Sequence, residues 1–479
     1  MSRPSCLFMI VSIFGMLSVW AIPGDKVLAR EFKAGTAVLD ITPSLGGEIV
    51  GGFLPIEARL IHDPLHVRCL VLQSEDTSIV LVVCDLLGIH RAVSQQARDL
   101  IAQRYAIPPA HVMIAATHTH SATSAHEPRY SEEATLTEYQ RFVVQRIVDA
   151  VGCALQRLEP AELGYAAIPV PEHVFNRRWF MGPGTIPPNP FGEVDQVKMN
   201  PPAGSPHLIE PAGPVDPHLR FLAIRAPTGR LISVFAAYSL HYVGGVGHGH
   251  VSADYFGMFC ERLRELVEQN KHDPPFLALL ANGTSGDVNN INFRHPRPAQ
   301  PAYAQMRHVA YDLADKLYAA LPQVSYHSQV KLAALYREVP IATRRPRENQ
   351  QAWAHEILTQ TPPAEGTLDL PRIYAQRVLT LTQAPAEVHV PVQVLRIGPV
   401  IMGTLPCEAF AEIGLEFTEC VTRQPAFLVE LAHGYYGYLP TPRQHAWGGY
   451  ETWLGTNWLE IEASNKLLAH LLEMVDQLP

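Results

Sequence analysis

The chain predicts an α/β fold, layered mixed sheets flanked by helices within a single large domain. Three observations carry this expectation. Short apolar runs of strand length recur along the whole chain, and segments with a helical period of 3.6 residues lie between them. The composition, 47% hydrophobic and 17% charged over 479 residues, is enough to bury a large core.

The N-terminus comes first. Arg3 precedes an apolar stretch, 6–21, and Val27-Leu28-Ala29 supplies small residues before Arg30. This predicts a signal peptide over 1–29, with an uncleaved anchor as the alternative, and an exported protein, periplasmic or secreted. The single domain then runs over 30–479. No later segment has the roughly 20 consecutive apolar residues of a membrane-spanning helix. Strands are expected at 70–72, 79–84, 112–116, 222–224, 231–236, 276–280, 392–397 and 427–429. Helices are expected at 94–105, 133–158, 255–269, 303–320 and 459–475.

Two stretches break this rhythm. Residues 183–217 are rich in Pro and Gly and too long for a simple connection. With the neighbouring Asn176-Arg177-Arg178-Trp179-Phe180, they predict a pocket wall. Residues 340–371 carry Arg344, Arg345 and Arg347 before a short helix at 350–358 and read as a solvated surface insertion. The 41 prolines against 32 glycines favour ordered loops over flexible linkers. No internal repeat is visible. A net charge of -9 without a basic block argues against a nucleic-acid partner. Cys69, Cys84, Cys153, Cys260, Cys407 and Cys420 are widely spaced, mostly in apolar surroundings, and are expected in the core with at most one or two disulfides.

Five elements carry chemistry. The first is Thr117-His118-Thr119-His120-Ser121, just past the strand at 112–116. Side chains alternate along a strand, so His118 and His120 project the same way from its carboxyl end. Paired imidazoles suit zinc and similar ions, although a lone His-x-His also occurs as an ordinary strand cap. The second is His241, again past an apolar strand, followed by Gly244, Gly245 and Gly247 and by the loop histidines His248 and His250. The third is Gly283-Thr284-Ser285-Gly286-Asp287-Val288-Asn289-Asn290, a small polar loop leaving a strand, without the Gly-x-Ser-x-Gly of a nucleophile elbow. The fourth is Glu408, where a strand meets a helix; a carboxylate there is favourable at a helix N-terminus in any case. The fifth is the tyrosine-rich run from Gly434 to Thr441 with Tyr450-Glu451.

In this order, the five elements resemble the catalytic domain of the neutral/alkaline non-lysosomal ceramidase family from about Phe32 onward. The start of the chain, Lys33-Ala34-Gly35 with Asp40-Ile41-Thr42-Pro43 and Gly51-Gly52, is similar too, as is Val215-Asp216-Pro217 leading into Leu219-Arg220-Phe221. The resemblance implies a zinc hydrolase that cleaves the amide of N-acyl sphingoid bases, with a ceramide-like lipid as substrate and a peripheral membrane contact. His118, His241, Glu408 and Tyr438 match the family's zinc ligands. His120 then serves as a proton carrier, and Arg177 and Tyr450 face the substrate carbonyl. The chain is expected to correspond to the catalytic portion alone, without the family's additional immunoglobulin-like C-terminal domain.

One departure decides the expected mechanism. Where the family has Gly-Asp-Val-Ser-Pro-Asn, this chain has Gly286-Asp287-Val288-Asn289-Asn290-Ile291. A carboxamide cannot form an acyl-enzyme, so covalent catalysis at Asn289 is excluded. The expected chemistry is metal-assisted hydrolysis by water. His120 or Asp287 would take the proton, and Arg177, Tyr450 and the Asn289 amide would hold the developing oxyanion. A metallo-β-lactamase plan fits worse, because it needs an Asp where Ala122 stands. The alternatives are a non-catalytic extracellular binding protein on the same fold and a zinc hydrolase acting on another amide or ester.

Overall fold

One strand pattern organises the chain three times over. The computed structural model describes Met1 and residues 31–268, 275–364 and 366–479; apart from Met1, the expected signal segment lies outside the described residues. In the first sheet, β1 (Lys33–Asp40), β2 (His66–Ser74) and β3 (Thr77–Cys84) pair antiparallel. A fourth strand, β4 (Val112–Ala116), then joins β3 in parallel after the helix α1 (Arg91–Tyr105), and α2 (Glu138–Leu155) follows. A parallel partner cannot be reached by a tight hairpin, so a crossover helix is needed.

The second sheet repeats the plan. Its strands β5 (Glu162–Pro169), β6 (His218–Arg225) and β7 (Leu231–Tyr238) pair antiparallel. Parallel to β7 lies β8 (Leu277–Asn282), reached through α3 (Asp254–Val267) and followed by α4 (Ala304–Ala320). In the third sheet, β9 (Leu332–Ala342), β10 (Glu387–Ile397) and β11 (Val400–Thr404) are antiparallel. The helices α5 (Glu348–Thr359) and α6 (Leu370–Leu381) separate β9 from β10. After α7 (Ala411–Cys420), β12 (Ala426–Val429) pairs parallel with β11, and α8 (Ala463–Gln477) ends the described fold.

Alternation along each strand explains how the sheets pack. In β2, Val67, Cys69 and Val71 join a core with Val93, Ala97 and Ile101 of α1 and Ile147 and Val151 of α2. On the opposite face, Leu70 and Leu72 enter a core shared with Leu222, Phe235 and Leu279 of the second sheet and Leu395, Met402 and Phe427 of the third. Each sheet therefore has helices on one face and other sheets on the other. With both faces buried, the strands read as continuous apolar runs, as at Val80-Leu81-Val82-Val83.

This arrangement fixes where reactive side chains can emerge. In open α/β sheets, ligand sites lie beyond the carboxyl ends of the strands. His118 follows β4, His241 follows β7, and Glu408 follows β11.

Residues 340–371 are exposed or half-buried along most of their length, with Ile341, Pro346 and Ala354 buried, and the expected short helix is α5; β9 extends into the segment as far as Ala342. The six cysteines of the described residues are all free; Cys69, Cys84, Cys260 and Cys407 are buried as expected, whereas Cys153 and Cys420 are exposed rather than in the core. Among the described residues no helix is long and apolar enough to cross a membrane.

Because Phe235 is fully buried in the core shared by all three sheets, Phe235→Ala is expected to lower unfolding free energy by about 3–5 kcal/mol. Urea denaturation checks this. A loss below about 1 kcal/mol would mean that the sheets do not depend on this core.

Candidate metal centre

The chain leaves β4 and turns sharply at His118, whose φ of +75° lies in the left-handed region. For a non-glycine residue that conformation costs roughly 1–3 kcal/mol. The His118 N–H is held by the Leu86 carbonyl at 2.9 Å. Its ring Nδ1 lies 2.7 Å from the Leu87 carbonyl. His241 makes the same kind of contact, Nδ1 to the Ser285 carbonyl at 3.2 Å. A carbonyl oxygen only accepts, so both Nδ1 atoms carry the proton and both Nε2 atoms present a lone pair.

These lone pairs face one another. His118 Nε2 is 3.1 Å from His241 Nε2 and 3.1 Å from His120 Nε2. Glu408 Oε2 lies 3.3 Å from His118 Nε2 and 3.7 Å from His241 Nε2. That oxygen is buried and has no hydrogen-bond partner among the described residues. Its sister Oε1 accepts from the Tyr435 hydroxyl at 2.7 Å. In a tetrahedral zinc site with bonds of about 2.0–2.1 Å, donor atoms sit roughly 3.3 Å apart. The spacing, the lone pairs and the orphaned carboxylate oxygen all fit a divalent cation.

The protonation states agree. Desolvation holds His241 and His120 well below the usual imidazole range, reinforced by Arg177 for His241 and by His118 for His120. Both are neutral donors. Burial works against the charge on Glu408, yet His118 and hydrogen bonds including those from Tyr438 and Tyr435 outweigh it and hold the carboxyl at about 2.

The other expected residues divide into two groups. Tyr438 pairs with Glu408 in a short parallel bridge, and its hydroxyl accepts from Arg177 Nη2 at 3.0 Å. The ring of Tyr450 packs edge-on against Tyr438 with centroids 5.7 Å apart. Arg177 and Tyr450 thus lie beside the cluster, as the sequence suggested. Asp287 is occupied elsewhere: Oδ1 accepts the Ala411 N–H at the start of α7, and Oδ2 accepts from Asn176 Nδ2 at 2.7 Å. Burial pushes its carboxyl up to about 6. No hydrogen bond or ion pair joins Asp287 to the three histidines among the described residues. The Asn289 amide donates to Asn200 Oδ1 at 2.7 Å and accepts the Ile291 N–H at 2.9 Å. It is held as a structural link between loops. His120, expected beside the ligands as a proton carrier, belongs to the same cluster: one ring nitrogen from each of His118, His120 and His241 lies within 4.8 Å of the others.

Several supporting residues escaped the sequence reading. Glu451, fully buried, accepts from Arg177 Nε at 3.0 Å and from Arg178 Nη1 at 2.6 Å. Desolvation opposes the Arg177 charge, and Tyr438, Glu451 and Glu408 outweigh it. Tyr242 stacks on His120 at 3.7 Å between centroids. Gly51 has φ +129°, and a Cβ there would lie 2.8 Å from His120 Nδ1. The adjacent arginines and the Tyr450-Glu451 pair were the available signals; their long-range pairing was not. A cavity of about 330 Å³ next to Tyr450 is lined by Phe53, Trp453 and residues 186–190, the predicted pocket wall.

Removing Glu451 strands two buried guanidinium groups. Glu451→Ala is therefore expected to cost about 3–5 kcal/mol of stability in denaturant titration. A loss under about 1 kcal/mol would show that other partners suffice for Arg177 and Arg178.

Comparison with known proteins follows the same lines. A profile of the neutral/alkaline non-lysosomal ceramidase N-terminal domain matches residues 32–297, more than half of the chain. The neutral ceramidase from Pseudomonas aeruginosa has a similar structure, with a TM-score of 0.67 at 18% identity, covering 93% of this chain and 74% of that one. A ceramidase complexed with C2 gives a TM-score of 0.68 at 18% identity, covering 94% of this chain and 76% of that one. At such identity these two likenesses speak for the fold. Curated protein sequences yield no match. On the strength of the profile match, the chain belongs to the neutral/alkaline non-lysosomal ceramidase family.

Proposed function

We propose that the protein is a zinc-dependent hydrolase that cleaves N-acyl amide bonds with water, a ceramide-like lipid being its first candidate substrate. Family membership supports a hydrolase. The observation that carries the reading is the cluster of three imidazoles in which the Nε2 atoms of His118 and His241 lie 3.3 and 3.7 Å from the unpartnered Glu408 Oε2. His118, His241, Glu408 and Tyr438 would hold the ion. When bound, zinc supplies Lewis acidity that activates water and polarises a carbonyl.

The protein's own groups do the rest. Arg177 is buried and cationic, and its Nη2 already points at the Tyr438 hydroxyl. It is placed to stabilise negative charge developing on the amide oxygen, with Tyr450 beside it. His120 takes the proton from the attacking water and delivers it to the leaving nitrogen. The water oxygen bonds to the carbonyl carbon, the C–N bond breaks, and a carboxylic acid and an amine leave. No acyl-enzyme forms, since Asn289 cannot be a nucleophile. The 330 Å³ cavity supports an apolar acyl chain lying against Phe53 and Tyr450. The N-terminal apolar stretch supports an exported protein.

Chelation is expected to abolish hydrolysis of an N-acyl substrate panel, and zinc to restore it. His118→Ala and His241→Ala should lose both bound zinc, read by elemental analysis, and turnover. Turnover retained without zinc contradicts the proposal. Stoichiometric zinc with no hydrolysis of any panel member would instead favour a binding protein, the reading that Asn289 in place of serine supports.

A further inference from the structure

Two arginines meet beside the candidate centre, and one of them has no acidic partner. A small cavity of about 30 Å³ is bounded by Arg129, Arg377, Tyr435, Tyr438, Tyr450 and Thr456. Tyr435 hydrogen-bonds Glu408, and Tyr438 pairs with Glu408 in the short parallel bridge, so this cavity abuts the ligand cluster directly. Arg129 is neutralised by Glu127, with Nε to Oε1 at 2.8 Å. Arg377 is different. Its guanidinium lies over the rings of Tyr374 at 5.0 Å and Phe53 at 5.5 Å and reaches Thr456 Oγ1 at 3.4 Å. Among the described residues no carboxylate pairs with it.

Flat ring contacts fix the orientation of a guanidinium without neutralising it. A half-buried cation with unspent donors, facing a cavity rather than bulk water, is a receptor for an anion supplied from outside. The helix that carries it also indicates how the rest of a ligand would lie. Leu370, on α6, lines the apolar 330 Å³ cavity, and Arg377 stands seven residues further along the same helix. Seven residues are two turns, so the two positions share a face about 10 Å apart. Tyr450 borders both cavities. An apolar chain on one side of Tyr450 and an anionic group on the other would bracket the centre at Glu408.

Resting on the amide-hydrolase reading above, we infer that the preferred substrate is an N-acyl amine whose amine half bears an anionic group, bound by Arg377 with Arg129 behind it. The shared chemistry is a carboxylate, sulfonate or phosphate, each able to take a forked pair of guanidinium N–H donors. A neutral ceramide lacks such a group.

The test uses the zinc-loaded protein and four compounds sharing one acyl chain: N-dodecanoyl-glycine, N-dodecanoyl-taurine, N-dodecanoyl-phosphoethanolamine and the neutral N-dodecanoyl-ethanolamine. The three anionic arms identify which anion is preferred. The expected ratio of kcat/KM, best anionic over neutral, is roughly tenfold or more, the effect of one charge-assisted hydrogen bond. Arg377→Gln should bring that ratio to about one, and Arg377→Lys, which keeps the charge but not the fork, should leave an intermediate value. Zinc content of each variant verifies that the centre is intact. A wild-type ratio near one, or a ratio that Arg377→Gln does not change, overturns the inference. If no compound is hydrolysed, the hydrolase reading fails; Kd values for the same four compounds by calorimetry then give the same ratios and decide the anion inference independently.

Discussion

Backbone carbonyls at Leu87 and Ser285 impose the constraint on which the centre depends. By accepting from Nδ1 of His118 and His241, they fix both tautomers and turn two Nε2 lone pairs toward each other at 3.1 Å. With the unpartnered Glu408 oxygen beside them and His120 Nε2 3.1 Å from His118 Nε2, the locus gathers buried acceptors. Unpaired acceptors buried together are costly, and a cation resolves all of them at once. A carbonyl that orients a ligating imidazole is a common partner of metal sites. Here the two carbonyls lie just beyond strands of two different sheets, so the site exists only if the sheets are held in register with each other.

The fold meets that requirement with ties close to the site. Between the second and third units, Gly286 N donates to the Ala409 carbonyl at 2.8 Å. Glu430 adds a second tie, accepting from Ser285 Oγ at 2.6 Å and from Ala409 N at 2.7 Å. Ser285 carries the carbonyl that orients His241, and Ala409 follows Glu408. First and third units are linked by Ala116 N to the Leu431 carbonyl at 3.1 Å and by His433 N to the Ile114 carbonyl at 2.8 Å. The strain at His118 is thus held by neighbours on both sides. Arg177, Arg178 and Glu451 close the remaining side, where buried charges are paired rather than solvated.

Much of this was legible in the chain. The strands buried on both faces appear as plain apolar runs, and His118, His241 and Glu408 each follow such a run, where α/β folds place ligands. The threefold recurrence of the strand plan was not legible, because it is a pattern of pairing that no repeated residues encode. Residues 340–371 read as solvated because Arg344, Arg345 and Arg347 dominate the composition, and the stretch is exposed or half-buried for most of its length, while the buried face of α6 begins just beyond. Asp287 looked reactive beside a glycine, yet its two oxygens serve Ala411 and Asn176, contacts 124 and 111 residues away. The closeness of His120 to His118, 3.1 Å between Nε2 atoms, depends on the turn at His118, a backbone angle that alternation along a strand does not foresee.

The most direct measurement is an anomalous difference map from crystals of the zinc-loaded protein. One strong zinc peak is expected about 2.0–2.3 Å from Nε2 of His118 and His241, from Glu408 Oε2 and from the Tyr438 hydroxyl oxygen. No peak at that position, or zinc bound only elsewhere, would contradict the proposed centre.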